Sequence, residues 1–265
     1  MFRALRTAAL GMSAQQLSVD NIANNLANVN TTGFKRSTIA FQDLFYQTIS
    51  TSKRGDSVHS AGGSEGPELQ IGHGSRPVAT IKNFSQGSMD ETGNPLDIAI
   101  DGTGFFQIQR PDGSVAYTRD GNFTVDATGQ LVNSSGLPLN DRIEIPPDAV
   151  AVQVSQDGMV SAVLQGETSP VDLGQLELAK FVNPSGLRAV GDNLFESTEA
   201  SGQPFLGTPG LEGFGSLNQG FVESSNVDIV NEMVNLITAQ RAYETNSKMV
   251  QTADEMMGVT NNIKR

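Results

Sequence analysis

Few side chains in this sequence could carry chemistry. Cysteine is absent, which removes thiolate catalysis, disulfides and Cys-ligated zinc together. The two histidines, His59 and His73, both fall in a Gly/Ser-rich stretch and are too few for a His-based triad or a multi-His metal site. Asp97 and Asp101 are the nearest thing to the carboxylate pair of a glycosidase, but strand alternation puts them together on one polar face, the ordinary place for surface acids. Gly102-Thr103-Gly104 follows a strand-like run, yet it leads into Phe105-Phe106 and another strand, not into the helix N-terminus that would hold a phosphate. Asp120-Gly121-Asn122 lacks the glycine and distal glutamate of an EF-hand loop. Glycosylation-type triplets at Asn30, Asn83, Asn122 and Asn133 are of a kind common by chance, and no Gly-x-Ser-x-Gly elbow occurs. Neither an enzymatic activity, a metal nor a cofactor is expected.

The elements that would hold such residues divide the chain into unlike parts. All 11 prolines lie between Pro67 and Pro209, and 25 of the 28 glycines between Gly55 and Gly220. Charge follows the same division. Residues 1–54 carry six basic and two acidic side chains, net +4, whereas residues 55–223 carry seven basic and 22 acidic, net −15. A middle this acidic argues against nucleic acid as a partner, because phosphate contacts need a basic surface. The 265-residue chain comfortably supports a buried core, and no apolar run approaches the roughly 20 residues of a membrane span, so no membrane insertion is expected. MFRALR is basic, but the apolar stretch behind it, Thr7 to Met12, is too short for a secretory signal, and the N-terminus is expected to be retained.

Both ends read as helices. Stepping by threes and fours from Phe2 gives Leu5, Ala9, Met12, Gln16, Val19, Ala23 and Leu26, a heptad stripe. The face carrying Asn24, Asn25, Asn28 and Asn30 is rich in a mediocre helix former, so it serves either to fix register between packed helices or, at Asn28 and Asn30, to cap a fraying end. Gly33 is placed for a left-handed turn. At the other end, Ile229, Glu232, Leu236, Ala239, Tyr243, Asn246, Val250, Ala253 and Met257 form a second stripe, with Ser224, Ser225 and Asn226 as N-cap candidates and Lys264-Arg265 at the dipole-favoured finish. Two paired helices alone barely offset the entropy of ordering them. They must therefore pack on the middle domain or order when copies assemble, and the asymmetry in composition favours assembly.

Between them, short β-like runs alternate with turn signals. Runs fall at 77–81, 96–100, 104–108, 115–118, 123–125, 130–132, 152–154 and 176–182. Turns fall at PDGS (111), RDGN (119), ATGQ (127), SSGL (134) and QDGM (156). The fold class expected is α+β: long terminal helices paired as a coiled-coil-like hairpin, with a mainly antiparallel β middle. The segments are 1–30 (helix), 31–75 (connection with a long polar Gly/Ser-rich extension), 76–205 (β domain), 206–226 (return connection) and 227–265 (helix). The extension, 47–75, is too long for an ordinary loop and runs into a contact strand at Leu69-Gln70-Ile71.

NIANNLANVNTTGFKRS (21–37) closely resembles the N-terminal signature of bacterial flagellar axial proteins, the rod and hook group, and GFVESSNVDIVNEMVNLITAQRAYETNSKMVQTADEMM (220–257) its C-terminal counterpart. AFQDLFYQTI (40–49), the extension into LQIGHGSRPVAT, DGTGFFQIQRPDGSVAYTRDGNFTVDATGQLV in the centre and TPGLEGFGSLNQGFVESSNV (208–227) resemble the distal rod family within that group. Only about 140–175 is uninformative. The resemblance implies a subunit of the flagellar drive shaft that polymerises helically into a straight tube and transmits torque to the hook. Terminal helices would line that tube and β domains would lie outside. It implies export by the flagellar type III apparatus without a cleaved signal, and a place in the basal body from the periplasm to the outer membrane. The partners implied are further copies of the chain, proximal rod proteins, the hook protein or its junction, and the P and L rings as a bushing. The extension near 46–72 would be a rod-specific insertion linking neighbours. Subunit contacts are expected at Leu5, Met12, Val19, Leu26, Leu236, Tyr243 and Val250, with Asn24, Asn25 and Asn28 setting register and Leu69 and Ile71 in the contact strand.

Overall fold

The computed structural model describes residues 2–49, 69–166 and 169–263. Helix α1 (Phe2–Ala27) is followed by β1 (Ser37–Asp43), β2 (Tyr46–Ile49), β3 (Leu69–Gly72) and β4 (Ser75–Lys82). Then come β5 (Met89–Glu91), β6 (Ile98–Asp101), β7 (Phe106–Gln109), β8 (Val115–Thr118), β9 (Phe123–Val125) and β10 (Leu131–Asn133). These lead to β11 (Ala149–Val154), β12 (Met159–Leu164), β13 (Val171–Gln175), β14 (Leu178–Lys180), β15 (Arg188–Gly191) and β16 (Leu194–Glu196). The chain closes through β17 (Phe205–Gly207), β18 (Ser216–Gln219), β19 (Phe221–Glu223) and helix α2 (Ile229–Ile263). Two compact units result. One draws its described residues from Met1–Ala23, Thr38–Thr80 and Val230–Arg265, the other from Asn24–Ser37 and Ile81–Ile229.

In the first unit α1 and α2 run antiparallel. Gly11 faces Asn246 so closely that a Cβ there would lie 3.0 Å from the Asn246 Nδ2, and Gln16 and Val19 share a groove with Gln240, Tyr243 and Glu244. The most buried apolar side chains on the two helices are small: Ala8, Ala14, Ala239 and Ala253. Larger residues of the stripes, Leu5, Met12, Leu236 and Val250, are only half-buried. Close backbone approach selects Ala and Gly and leaves the long side chains at the flanks. The same unit holds two ribbons, β1 with β4 and β2 with β3, the second antiparallel with Tyr46 opposite Gly72 and Thr48 opposite Gln70.

The second unit has its own core. Strands β15, β16, β8 and β7 form a four-stranded sheet whose alternation feeds both faces. Phe106, Ile108, Ala116 and Leu194 enter one cluster with Ile98, Phe123, Leu176 and Leu217. Their chain neighbours Phe105, Tyr117 and Phe195 enter a second with Phe181 and Leu187. Period-two side-chain alternation makes Phe105-Phe106 serve two cores at once. The second cluster is aromatic and packed edge to face, with Tyr117 and Phe181 centroids 4.8 Å apart.

Three Asp-Gly or Thr-Gly turns close hairpins as their residues dictate: β7–β8 around Gly113, β9–β10 around Gly129 and β11–β12 around Gly158. RDGN at 119 does not. β8 pairs with β7 and β16, while Gly121 accepts a hydrogen bond from the Ile98 N–H at 2.9 Å and Asn122 bridges to Asp97. Asp97 likewise leaves the polar strand face expected for it. It ends a turn closed by its own N–H on the Asn94 carbonyl, and its buried carboxylate accepts from Thr92 Oγ1 at 2.6 Å and Asn94 Nδ2 at 3.0 Å, while Asp101 stays exposed. Strands β12 and β13 occupy the stretch that carried no signal. The return segment 206–226 contains β18 and β19, antiparallel to β6 and β5 respectively.

Asp141 gives the β unit a pH response. Burial pushes its carboxyl up to about 6, against the Glu177 N–H that donates to it, with the Glu177 charge adding to the rise. A raised carboxyl contributes stability that is fully present below its unfolded value and is lost as pH rises through about 6. Asp141→Asn keeps the acceptor without the charge. Thermal melts from pH 4.5 to 8 should therefore show a Tm gain over the parent that is small at the acid end and largest at pH 8.

Candidate functional site

The second unit contains the junction through which the chain leaves α1 and enters α2. After Ala27 the helix unwinds in a turn. The Asn28 side chain donates back to the Asn24 carbonyl at 2.9 Å, and the Thr31 hydroxyl donates to the Asn28 carboxamide oxygen at 3.2 Å. Gly33 then takes φ +67°, and a Cβ there would lie 2.6 Å from the Asp120 nitrogen. Only glycine provides both the left-handed backbone and the clearance. Its N–H donates to the Glu223 carbonyl at 2.8 Å. Asn25, almost fully buried, holds the chain just beyond the turn: its Nδ2 donates to the Ser37 carbonyl at 2.8 Å and its Oδ1 accepts from the Ser37 N–H at 3.0 Å. On the return strand, Asn226 accepts from the Arg36 N–H at 2.7 Å and donates to the Asn83 carbonyl at 2.9 Å.

At the centre lies a buried ion cluster. Glu223 Oε1 meets Lys35 Nζ at 2.5 Å and accepts from the Gly87 N–H at 2.9 Å, while its Oε2 meets Arg119 Nε at 2.8 Å. The side chains of Lys35 and Glu223 have no exposed surface and that of Arg119 is 4 % exposed. The remaining donors are satisfied as well: Lys35 Nζ on the Ser85 carbonyl at 2.8 Å, and Arg119 Nη1 on the carbonyls of Gly102 and Gly104 at 2.8 and 2.7 Å. Burial by itself would raise the Glu223 carboxyl, but Arg119, Lys35 and the Gly87 amide outweigh it and hold the carboxyl below its usual range. Burial pulls the Lys35 amine below its usual value, with Glu223 opposing. Two cations and one carboxylate, separated by 104 and 188 positions, are thus paired in one place. This is positioning chemistry. Among the described residues no cluster of metal-ligating side chains occurs.

The residues expected to make subunit contacts are distributed as follows. Leu5, Met12, Val19 and Leu26 are half-buried along α1, Leu236 and Val250 half-buried on α2, and Tyr243 is exposed. Val19 and Tyr243 meet in the groove of about 460 Å³ between the helices. Asn24 is exposed and accepts from Asn28, whereas Asn25 is committed to Ser37. Ile71 is 39 % exposed on β3, opposite Gln47. The side chain of Leu69 lies outside the described residues, as do Lys264-Arg265 and residues 50–68 of the polar extension. Sequence reasoning missed the cluster of Lys35, Arg119 and Glu223. The signal present was a charge set directly beside a buried apolar residue, in Phe34-Lys35 and Val222-Glu223.

Comparison with known proteins places both halves of this junction in matched regions. Residues 5–35 match the model described as flagella basal body rod protein, residues 218–263 the flagellar basal body rod FlgEFG protein C-terminal, and residues 99–162 the flagellar hook protein FlgE/F/G D1 domain. The chain is 49 % identical over 257 residues to the flagellar basal-body rod protein FlgG of Buchnera aphidicola subsp. Schizaphis graminum, covering 97 % of this chain and 98 % of that one. It is 47 % identical over 274 residues to FlgG of Borreliella burgdorferi, with both chains covered in full, and 47 % identical over 263 residues to FlgG of Caulobacter vibrioides, with 99 % of each covered.

The cluster predicts a specific pH response. A depressed carboxyl contributes stability present above its unfolded value, near 4.3, and lost as pH falls through the folded value. Glu223→Gln keeps shape and acceptor but strands two buried cations. It should cost roughly 3 to 5 kcal/mol at pH 7, a Tm drop on the order of 10 °C. Melts of both proteins should converge only as pH falls through the depressed value of the folded Glu223, below the usual range of a glutamate.

Proposed function

The chain belongs to the FlgG family of flagellar basal-body rod proteins, and from that membership we propose how it works as a part of the rod. It is a structural subunit of the flagellar basal body and not an enzyme. In our reading it forms the distal rod: copies polymerise helically into a straight, rigid tube that carries torque toward the hook. The helices pair there in a coiled-coil-like seam. Leu5, Met12, Val19, Leu26, Leu236, Tyr243 and Val250 contribute apolar contacts between copies, Asn24, Asn25 and Asn28 register, and Leu69 with Ile71 a strand contact. Proximal rod proteins, the hook or its junction, and the P and L rings are the further partners. The chain reaches this place, between periplasm and outer membrane, through the flagellar type III apparatus without losing its N-terminus.

One observation supports assembly through the helices above all. Among the described residues, α2 carries a second apolar face that stays exposed: Val234 is 54 % exposed, Ile237 49 %, Met249 54 % and Val259 59 %. No monomeric helix gains from presenting such a face to water. It fits a further copy, since a chain that builds a tube must bury helix surface on more than one side. Tyr46 on β2, at 57 % exposure, and Phe45 just before it, at 89 %, add to this at the root of the extension assigned to linking neighbours.

Electron microscopy of concentrated protein tests this: straight tubes are expected from the parent chain and none from Val234→Glu/Ile237→Glu. Parent protein that stays monomeric at high concentration would refute it. The extension has a separate test. Deleting 50–66 should leave export intact, seen as subunit outside the cell membrane, while rods in micrographs become curved or loose. Unchanged straight rods would remove its stiffening role.

A further inference from the structure

In the second unit, Asn28, Phe34, Lys35, Lys82, Ala189 and residues 191–195, Asp192 among them, line a small cavity of about 140 Å³, room for one side chain. Lys82 is its unusual member. The amine lies 5.0 Å from the Phe34 ring centroid and 5.5 Å from that of Phe195. The residue is half-buried, and no carboxylate among the described residues lies within 4.0 Å of it. Burial depresses the amine's pKa, and the Asp192 carboxylate on the same cavity wall does not come within ion-pair distance to restore it. The contrast with its neighbour is direct, since Lys35 on the same cavity wall is fully paired with Glu223. Two aromatic faces give a cation only part of what water or a carboxylate would.

The surroundings say what would complete the site. Residues 55–223 carry seven basic against 22 acidic side chains. Of those seven, Arg119 is bound to Glu223 and Arg188 to Glu196, and Lys180 donates to the Gly213 carbonyl. Copies of so acidic a unit brought side by side repel one another unless a cation on one meets a carboxylate on the next. A half-buried, uncompensated lysine in a cavity of side-chain size is suited to that contact.

We propose that the Lys82 cavity is a subunit contact that receives an Asp or Glu side chain from the β unit of a second copy of this chain. The proposal rests on the assembling-rod reading above and specifies a contact outside the helices. Desolvation already suffered by Lys82 in the monomer lowers the further cost of pairing it, and the rings of Phe34 and Phe195 shield the pair from salt.

The test sets two measurements on the full chain against each other: monomer melting and the critical concentration for tube formation by light scattering. Lys82→Met removes a charge that is a burden to the monomer, so it should melt at or above the parent temperature. Its critical concentration should rise about tenfold, the loss of one charge-assisted hydrogen bond, and Lys82→Arg should stay near the parent. A Lys82→Met chain that polymerises as readily as the parent overturns the proposal, and so does one that melts well below it, since that marks a structural lysine. Parent chain that forms no tubes overturns the rod reading and this contact with it, whereas parent tubes with an indifferent Lys82 overturn this contact alone.

Discussion

A carboxylate without water must find all its counter-charge inside the protein, and at Glu223 that requirement fixes three distant segments at once. The strand entering α2, the turn leaving α1 and the β8 edge carrying Arg119 converge because Glu223, Lys35 and Arg119 have no acceptable place apart from one another. Such clusters contribute little net stability, since each ion surrenders its hydration to join. What they exclude is any register but one: a slip of a residue at β19 would turn Glu223 out of the cluster and strand two cations. The neutral hydrogen bonds around it, Gly33 to the Glu223 carbonyl, Asn25 to Ser37 and Asn226 to Arg36 and Asn83, repeat the constraint at lower stakes. The roots of both helices are thereby set by side chains of the folded β unit.

The two units solve the burial problem in opposite ways. The β unit closes its own cores, with Ile108, Ala116, Phe123, Val160, Leu176 and Leu178 essentially inaccessible. The helical unit buries alanines and leaves valines, isoleucines and methionines exposed. By area, each exposed aliphatic side chain forgoes about 1.5 to 3 kcal/mol of available burial. In the assembly proposed above, that deficit in the single chain would be recovered when copies pack together. The deficit thus falls on the helices, while the strands carry a completed core.

How much of this was legible in the sequence depended on whether the determining interaction was local. Helix α1 was readable from its apolar stripe, and the left-handed turn at Gly33, Asp112-Gly113 and Asp157-Gly158 from turn chemistry, because each depends on neighbours a few positions away; the helix itself ends earlier, at Ala27. RDGN failed although its residues match the others, because Asp120-Gly121 packs on Ile98 and Arg119 is taken by Glu223, and neither partner is near in sequence. β12 and β13 gave no sign because their exposed, mixed-polarity outer positions blur the alternation. The α1 stripe was located only approximately, since hydrophobic periodicity weights Leu and Met, whereas close packing singled out Ala8, Gly11 and Ala14. The resemblance at 21–37 and 220–257 was the clearest signal of all, and the junction gives it a physical reason. Those motifs contain Asn25, Gly33, Lys35, Ser37, Glu223 and Asn226, the residues that must find each other across nearly the whole chain.

The uneven distribution of glycine, proline and charge follows from the same division. Breakers are confined to the part that turns tightly between short strands, because a single proline inside α1 or α2 would remove a hydrogen bond and kink a helix that must pack along its length. Acidity is concentrated there too, 22 of the 29 acidic side chains falling in 55–223, which leaves the helical ends close to charge balance. The missing cysteine and scarce histidine then need no separate account. A subunit whose work is to hold shape needs charges for positioning and not for proton transfer, and in Glu223, Lys35 and Arg119 they are used to tie distant segments together.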